Sequence, residues 1–399
     1  MTIQNYVYYN RLFKPLDLPL AYCDMDMLQQ NINDIADRCS GTDKKIRIAS
    51  KSLRCRYLIQ HILDNHPIYK GIMSFCGAET IFLLENNFDD ILIGYPIINE
   101  SEIREISAWT KKGKKVYLMT DDKAHLEIIN RIAAEENILQ PVCMDIDMST
   151  DFPGIHFGVL RSPLNSISKA KKFIDQFENF PHIILKGVMG YEAQIAGLGD
   201  KNPANGIKNM LIPTLKKKSI ADFSKRREEI VKYIKSKKIE LDFVNAGGTG
   251  SIESSKTEDW VTEITVGSGF YSPALFDYYS NFRHQPAVGF ALPIVRSPKV
   301  GYFTCLGGGY IASGTTGKDK QPLPYLPVGI ELTENEGCGE VQTPFAYNGK
   351  EPIAIGDIIL FRHAKAGEIC ERFNEFQLVS NGEIIKKVPT YRGEGKSFL

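Results

Sequence analysis

Residues 241–270 read LDFVNAGGTGSIESSKTEDWVTEITVGSGF. Two short apolar runs each break into a glycine-bearing turn. The first ends in Asn245-Ala246-Gly247-Gly248-Thr249-Gly250-Ser251, the second in Val266-Gly267-Ser268-Gly269-Phe270-Tyr271. Continuous Val/Ile/Leu runs of this length suit parallel strands buried on both faces. Glycines without a Cβ let backbone N–H groups close around an anion, and Thr249, Ser251 and Ser268 add hydroxyl donors.

Upstream, six more runs of the same character precede these two: IRIAS (46–50), KGIMSF (70–75), DILIGYP (90–96), KVYLMT (115–120), PVCMDIDM (141–148) and HIILKGVMG (182–190). The stretches between them have amphipathic, helix-like spacing. Eight strand–helix units in about 230 residues are the arithmetic of a (β/α)8 TIM-type barrel. An open doubly wound sheet alternates in the same way. The glycine loops favour the barrel, because the loops after its seventh and eighth strands are its usual phosphate site. After residue 285 Gly and Pro become frequent, and ALPIVRSP, KVGYFTC, VGIELTE and IGDIILFRH read as antiparallel strands. The expected organisation is a barrel over 21–280 and a C-terminal antiparallel β domain over 285–399. Residues 1–20 join the latter, with VYYNRLF (7–13) as a strand.

Composition bounds the function. Of 399 residues 43% are hydrophobic and 24% charged, as in a chain that buries a large core. Lys+Arg and Asp+Glu are equal at 48, so no global charge favours nucleic acid or a membrane surface. The N-terminus shows no signal-peptide pattern, and no run of about 18 apolar residues occurs. The eight cysteines contain no CxxC pair, which suits reduced core thiols in the cytoplasm. The seven histidines contain no HxH or HxxxH pair.

Lys51 ends the first strand, in IRIASKSLRC. A lysine at the end of an apolar barrel strand faces the rim where catalytic groups of this fold sit, and partial desolvation frees its amine for Schiff-base chemistry. Taken alone, Lys51 is better read as a surface lysine starting a loop. Together with both glycine loops it is specific: a covalent aldehyde cofactor with one phosphate needs an amine and a remote anion cradle.

On these residues the chain resembles the alanine-racemase-like (fold type III) enzymes that use pyridoxal 5′-phosphate. Within them it resembles the D-threonine aldolase and D-serine dehydratase branch, and proteins described as amino-acid deaminase/aldolase. The segments carrying the resemblance are ASKSLR around Lys51, GAETIFLLENNFDDILIGYP (77–96), MDIDM (144–148), NAGGTGS (245–251), GSGFYS (267–272) and RHAKAGE (362–368). The resemblance implies Lys51 as the Schiff-base lysine, with Gly248, Thr249, Gly250, Ser268 and Gly269 on the phosphate. It implies Tyr191 in the substrate pocket, a small-molecule amino-acid substrate, and a homodimer.

The chain departs from that pattern twice. Metal-dependent relatives carry a histidine, a spacer and then Asp or Cys near the end of the β domain; here the segment reads His363-Ala364-Lys365. An ammonium is no metal ligand, so His363 stands as the sole metal candidate, and Lys365 offers its own charge in place of a divalent metal. The spacing gives no reason to expect Glu368 or Cys370 as a second ligand beside His363. Relatives also place an arginine near the cofactor's phenolic oxygen where this chain has His156, which keeps a hydrogen bond without a permanent charge.

The leading expectation is a pyridoxal-phosphate-dependent lyase, aldolase or dehydratase/deaminase, acting on D-amino acids with a β-hydroxyl. Lys51, His363 and Lys365 are its catalytic candidates. A racemase is the alternative; it needs a second base opposite Lys51, with Tyr302, Tyr310, Tyr325 and Tyr347 available. A non-catalytic pyridoxal-phosphate carrier is a lone barrel and leaves the residues after 285 without a task.

Overall fold

The computed structural model describes residues 5–201, 206, 208–315 and 317–399. Eight parallel strands close into one barrel: Lys45–Ala49, Tyr69–Ser74, Ile91–Ile93, Val116–Thr120, Gln140–Asp145, Ile183–Gly190, Phe243–Ala246 and Glu263–Val266. The last strand pairs in parallel with the first, Glu263 opposite Lys45 and Val266 opposite Ile48, which completes the ring. Each of the eight runs read from sequence is one of these strands. Five-residue stretches such as Val116–Thr120 are buried throughout, as strands covered on both faces must be.

Side chains fill the barrel. Leu92, Tyr117, Met119, Cys143, Met189 and Phe243 form one buried cluster. Beside it, Arg47 binds Glu263 through two hydrogen bonds (2.7 and 2.9 Å) and Asp90 through a third (3.0 Å), with its guanidinium 5.0 Å from the Phe243 ring. Asn245 donates to Glu263 at 2.8 Å, so this ionic layer ties strands one, seven and eight together. A buried charge is tolerable only when paired and hydrogen-bonded in this way.

The chain divides into two compact units. One contains the barrel strands and comprises Ala36–Lys51, Ile62–Gly267 and Phe398–Leu399. The other takes the chain up to Ile35, then Ser52–His61 and Ser268–Ser397. Its sheet is mainly antiparallel: Val288–Lys299 pairs with Leu20–Asp24, Tyr302–Leu306 and Ile358–Arg362. Leu20–Asp24 also runs parallel to Glu375–Ser380, a partner more than 350 residues away.

The opening segment differs from expectation. Tyr6–Phe13 is an α-helix, not a strand. Asn5 caps it by accepting the Tyr8 N–H at 2.9 Å, and spacing by three and four puts Tyr6, Tyr9 and Phe13 on one buried face. They pack with Leu20, Tyr22, Ala291 and Leu360, and Tyr9 donates to Asp24 at 2.8 Å. All eight cysteines are free and seven are buried. No helix among the described residues is long and apolar enough to cross a membrane.

Candidate active site

Parallel strands deliver their loops to one end of a barrel, and the sequence places polar groups at several of those strand ends. Lys51 lies in the 3-10 turn Ser50–Ser52 that follows strand one. Its ammonium donates to the phenolic oxygen of Tyr95, just past strand three, at 2.6 Å, and sits 5.3 Å from that ring's centroid. Burial alone raises the Tyr95 phenol. The charge and hydrogen bond of Lys51, helped by Arg161, outweigh burial and the opposing Asp145, so the phenol ionises below its ordinary range.

Tyr191 follows strand six and moves the other way. Burial lifts its phenol above the usual value, while Lys51 and Arg161 offset this only in part. Asp145, the last residue of strand five, holds its proton well above the ordinary carboxylate range, through burial first and then the neighbouring Asp121 and Asp147. Those two neighbours have partners of their own: Asp121 lies 3.2 Å from His125, and Asp147 accepts the Ser149 N–H at 2.7 Å.

The glycine loop after strand seven is fixed from beneath. Gly247 has φ +76°, a conformation that side-chain-bearing residues rarely adopt, and its N–H donates to Glu192 at 2.7 Å. Glu192 pairs with Arg227, whose other arm meets Glu258; Glu192 and Arg227 have no exposed side-chain surface. Gly248 must be bare for a different reason. A Cβ there would stand 2.8 Å from the Ala196 Cβ and 3.4 Å from the Tyr191 ring. Thr249–Ser251 forms a 3-10 turn in which the Ser251 hydroxyl accepts the Gly248 N–H at 3.0 Å, so that hydroxyl shapes the loop.

The barrel unit therefore brings Lys51, Tyr191 and the Gly248-Thr249-Gly250 turn into one neighbourhood. The His156 side chain is exposed on the hairpin Thr150–Phe152/Ile155–Phe157 and bonds Asp151 at 2.7 Å. The remaining candidates lie in the other unit. Ser268 and Gly269 open the short helix Ser268–Tyr271, and the Ser268 hydroxyl is 3.2 Å from that of Ser52.

His363 is buried, and neither ring nitrogen has a hydrogen-bond partner among the described residues. Burial, then the Arg362 charge, lowers its pKa to about 3, against the nearby Val288 backbone, whose approach falls short of hydrogen-bond geometry. Lys365 donates to the Ser313 carbonyl at 2.6 Å, and Glu368 accepts the Ser313 N–H at 3.0 Å. The Cys370 thiol points to the Leu53 carbonyl at 3.2 Å. Each donor near His363 is thus engaged elsewhere. No group of three His, Cys, Asp or Glu residues with metal-binding geometry occurs among the described residues. This donor set does not fit a divalent ion.

Among the β-unit tyrosines, Tyr347 donates to the Glu351 carbonyl at 2.8 Å, and Tyr310 packs edge-on against Phe290 and Phe373. Sequence reasoning missed Tyr95, Arg161, Asp145, Glu192 and Arg227. Tyr95 and Asp145 lie inside DILIGYP and MDIDM, so their strand-end positions were the available signal; the other three left none of comparable strength.

The sequence matches no family model and no curated protein. Solved structures match over nearly the whole chain. The D-threonine aldolase from Filomicrobium marinum is 14% identical, covering 96% of each chain at a TM-score of 0.79. The D-threo-3-hydroxyaspartate dehydratase from Delftia sp. HT23 is 15% identical, covering 97% of this chain and 99% of that one at 0.74. The alanine racemase of Clostridium difficile 630 is 15% identical, covering 94% and 99% at 0.64. The chain has the alanine-racemase-like fold, a TIM-type barrel with a separate β domain.

Proposed function

We propose that this protein is a pyridoxal-phosphate-dependent lyase that acts on D-amino acids carrying a β-hydroxyl group. The observation that carries the reading is Lys51 at the end of barrel strand one, hydrogen-bonded to Tyr95, in the same unit as a side-chain-free glycine turn after strand seven. The residues fit the cofactor: an amine for its aldehyde, and a turn where a Cβ at Gly248 would occupy space beside Tyr191. When bound, pyridoxal phosphate supplies an electron sink for bonds broken at the amino-acid Cα.

In this proposal Lys51 provides the amine and then the base at Cα. The Gly248-Thr249-Gly250 turn, with Ser268 and Gly269 from the adjoining segment, takes the phosphate, and Tyr191 orients the substrate. For the group beside the cofactor's ring oxygen, Arg161 is favoured over His156. The charge of Arg161 reaches both Tyr95 and Tyr191, whereas His156 is bound to Asp151 on an exposed hairpin. His363 and Lys365 are proposed for the β-substituent. A neutral imidazole with both nitrogens unpartnered is suited to hydrogen bonding rather than to holding a proton.

Pairing of two copies as a homodimer is proposed from the sequence resemblance. The free cysteines support a reducing compartment, the cytoplasm.

Purified protein incubated with pyridoxal phosphate should turn yellow, and borohydride should leave the pyridoxyl group on the peptide containing Lys51. A panel of D- and L-amino acids should then yield an aldehyde or a 2-oxo acid from a D-β-hydroxy substrate. Epimers as the sole product would make the protein a racemase. Uptake without any product would make it a carrier, and labelling at another lysine would remove the reading altogether.

A further inference from the structure

Lys51 and Tyr95 are joined by a 2.6 Å hydrogen bond between two titratable groups. The Schiff-base lysine assigned above does not itself require this contact. It puts a phenolic oxygen within reach of each proton that the amine gains or loses. The other titratable groups around the phenol are Arg161, whose charge favours its ionised form, and Asp145, which opposes that form only when it has itself lost its proton; Tyr95 in turn raises the neighbouring Tyr191. Tyr95 is half-buried, which limits competition from water for its oxygen.

We propose that Tyr95 is a catalytic residue and the proton partner of Lys51, orienting the amine and taking the proton it sheds before bonding to an aldehyde carbon. The inference rests on the proposed cofactor at Lys51. An ammonium has no free electron pair, so Nζ first gives a proton to the Tyr95 oxygen along the existing hydrogen bond. The freed nitrogen pair forms the C–N bond. The carbonyl oxygen then leaves as water with two protons, one returned by Tyr95 and one shed by the nitrogen. One proton remains on the product nitrogen and Tyr95 is again ionised, so the three ammonium protons are accounted for. Were an amino-acid ammonium to displace Lys51, the ionised Tyr95 would take a proton from the incoming nitrogen and pass it to the released Lys51 amine.

The assignment also explains the opposite behaviour of the two barrel phenols. Tyr95 ionises below its ordinary range and is the one bonded to Lys51; Tyr191 lies in the same field without that bond and ionises above it. Of the two phenols, the one bonded to Lys51 gives up its proton more readily, so its ionised oxygen is the one within reach of the amine.

Two measurements test this, the first without any cofactor. In apoprotein, tyrosinate absorbance followed against pH should show a tyrosine titrating below the ordinary range. Tyr95→Phe should remove that component, and Lys51→Met should shift it to higher pH because the lowering charge is gone. An unchanged titration in Lys51→Met overturns the proposal. In the second, the yellow band should form on mixing apoprotein with pyridoxal phosphate at least about tenfold more slowly in Tyr95→Phe at neutral pH. The defect should close at alkaline pH, where hydroxide replaces the phenolate, with final occupancy unchanged. Equal rates across the pH range overturn the proposal. Loss of the parent protein's cofactor uptake, with the tyrosine titration intact, would sink the proposed function and leave the proton pair standing. Tyr95→Phe keeps the ring, and a matching thermal midpoint confirms that it folds.

Discussion

Glu192 uses one carboxylate oxygen to bind Arg227 and the other to accept the Gly247 N–H at 2.7 Å, and neither side chain has exposed surface. A buried acid thus fixes the backbone of the glycine loop, and a buried base, itself shared with Glu258, fixes the acid. The pattern gives this pair a structural role beneath the glycine loop.

Breaking this chain should be costly in a specific way. Arg227→Met leaves two buried carboxylates without their counter-charge, and removing one partner of a buried pair typically costs about 3–5 kcal/mol. Glu192→Gln keeps a carbonyl oxygen for Gly247, so its penalty should be smaller. Urea unfolding should rank the two in that order, and pyridoxal phosphate should bind Glu192→Gln more weakly than the parent protein. Parent-like stability in Arg227→Met would mean that the three-residue chain does not hold the loop.

The bare surface at Gly248 makes a second claim testable. A leucine there drives its Cβ against Ala196 and the Tyr191 ring, so the turn proposed to hold the phosphate must shift. Each charge-assisted hydrogen bond lost should cost about 1.5–3 kcal/mol, so the dissociation constant for pyridoxal phosphate should rise at least about tenfold. Gly248→Ala should show a milder version. Unchanged affinity in Gly248→Leu would make the loop an ordinary turn.

The barrel was legible because its strands are buried on both faces, which writes them as continuous apolar runs wherever their partners lie. The sheet of the other unit was only half legible. Leu20–Asp24 pairs with Val288–Lys299 and Glu375–Ser380, and nothing local marks pairing over such separations. VYYNRLF carries strand-type residues, yet the Asn5 cap and a buried Tyr6/Tyr9/Phe13 face make it a helix. At the site, Lys51 could be read from its strand-end position. Tyr95 and Asp145 share that strand-end signal, but the partner that gives Tyr95 its importance is 44 positions away and no local motif marks the pairing. Arg161 acts through its field at Tyr95 and Tyr191, which no local motif encodes.

His363 gives the last prediction, on stability against pH. Folded, the ring resists protonation down to about pH 3, chiefly through burial and secondarily through Arg362; unfolded, a histidine takes up its proton near 6.5. Above 6.5 the ring is neutral in both states and contributes no pH dependence. Between 6.5 and 3 the unfolded chain binds a proton that the folded protein refuses, so stability falls with pH by about 1.4 kcal/mol per unit. Urea midpoints measured from pH 7 to 5 should show this acid-side slope, and His363→Phe, which keeps a ring of similar bulk against Tyr271, should flatten it. A divalent ion on His363 would act differently: chelator would lower the thermal midpoint at constant pH, and metal would restore it. With Lys365 held by Ser313 and Cys370 turned to Leu53, the expected result is that chelator changes nothing. A midpoint that drops with EDTA and recovers with a divalent ion would place a metal on His363 and require Lys365 or Cys370 to leave its partner.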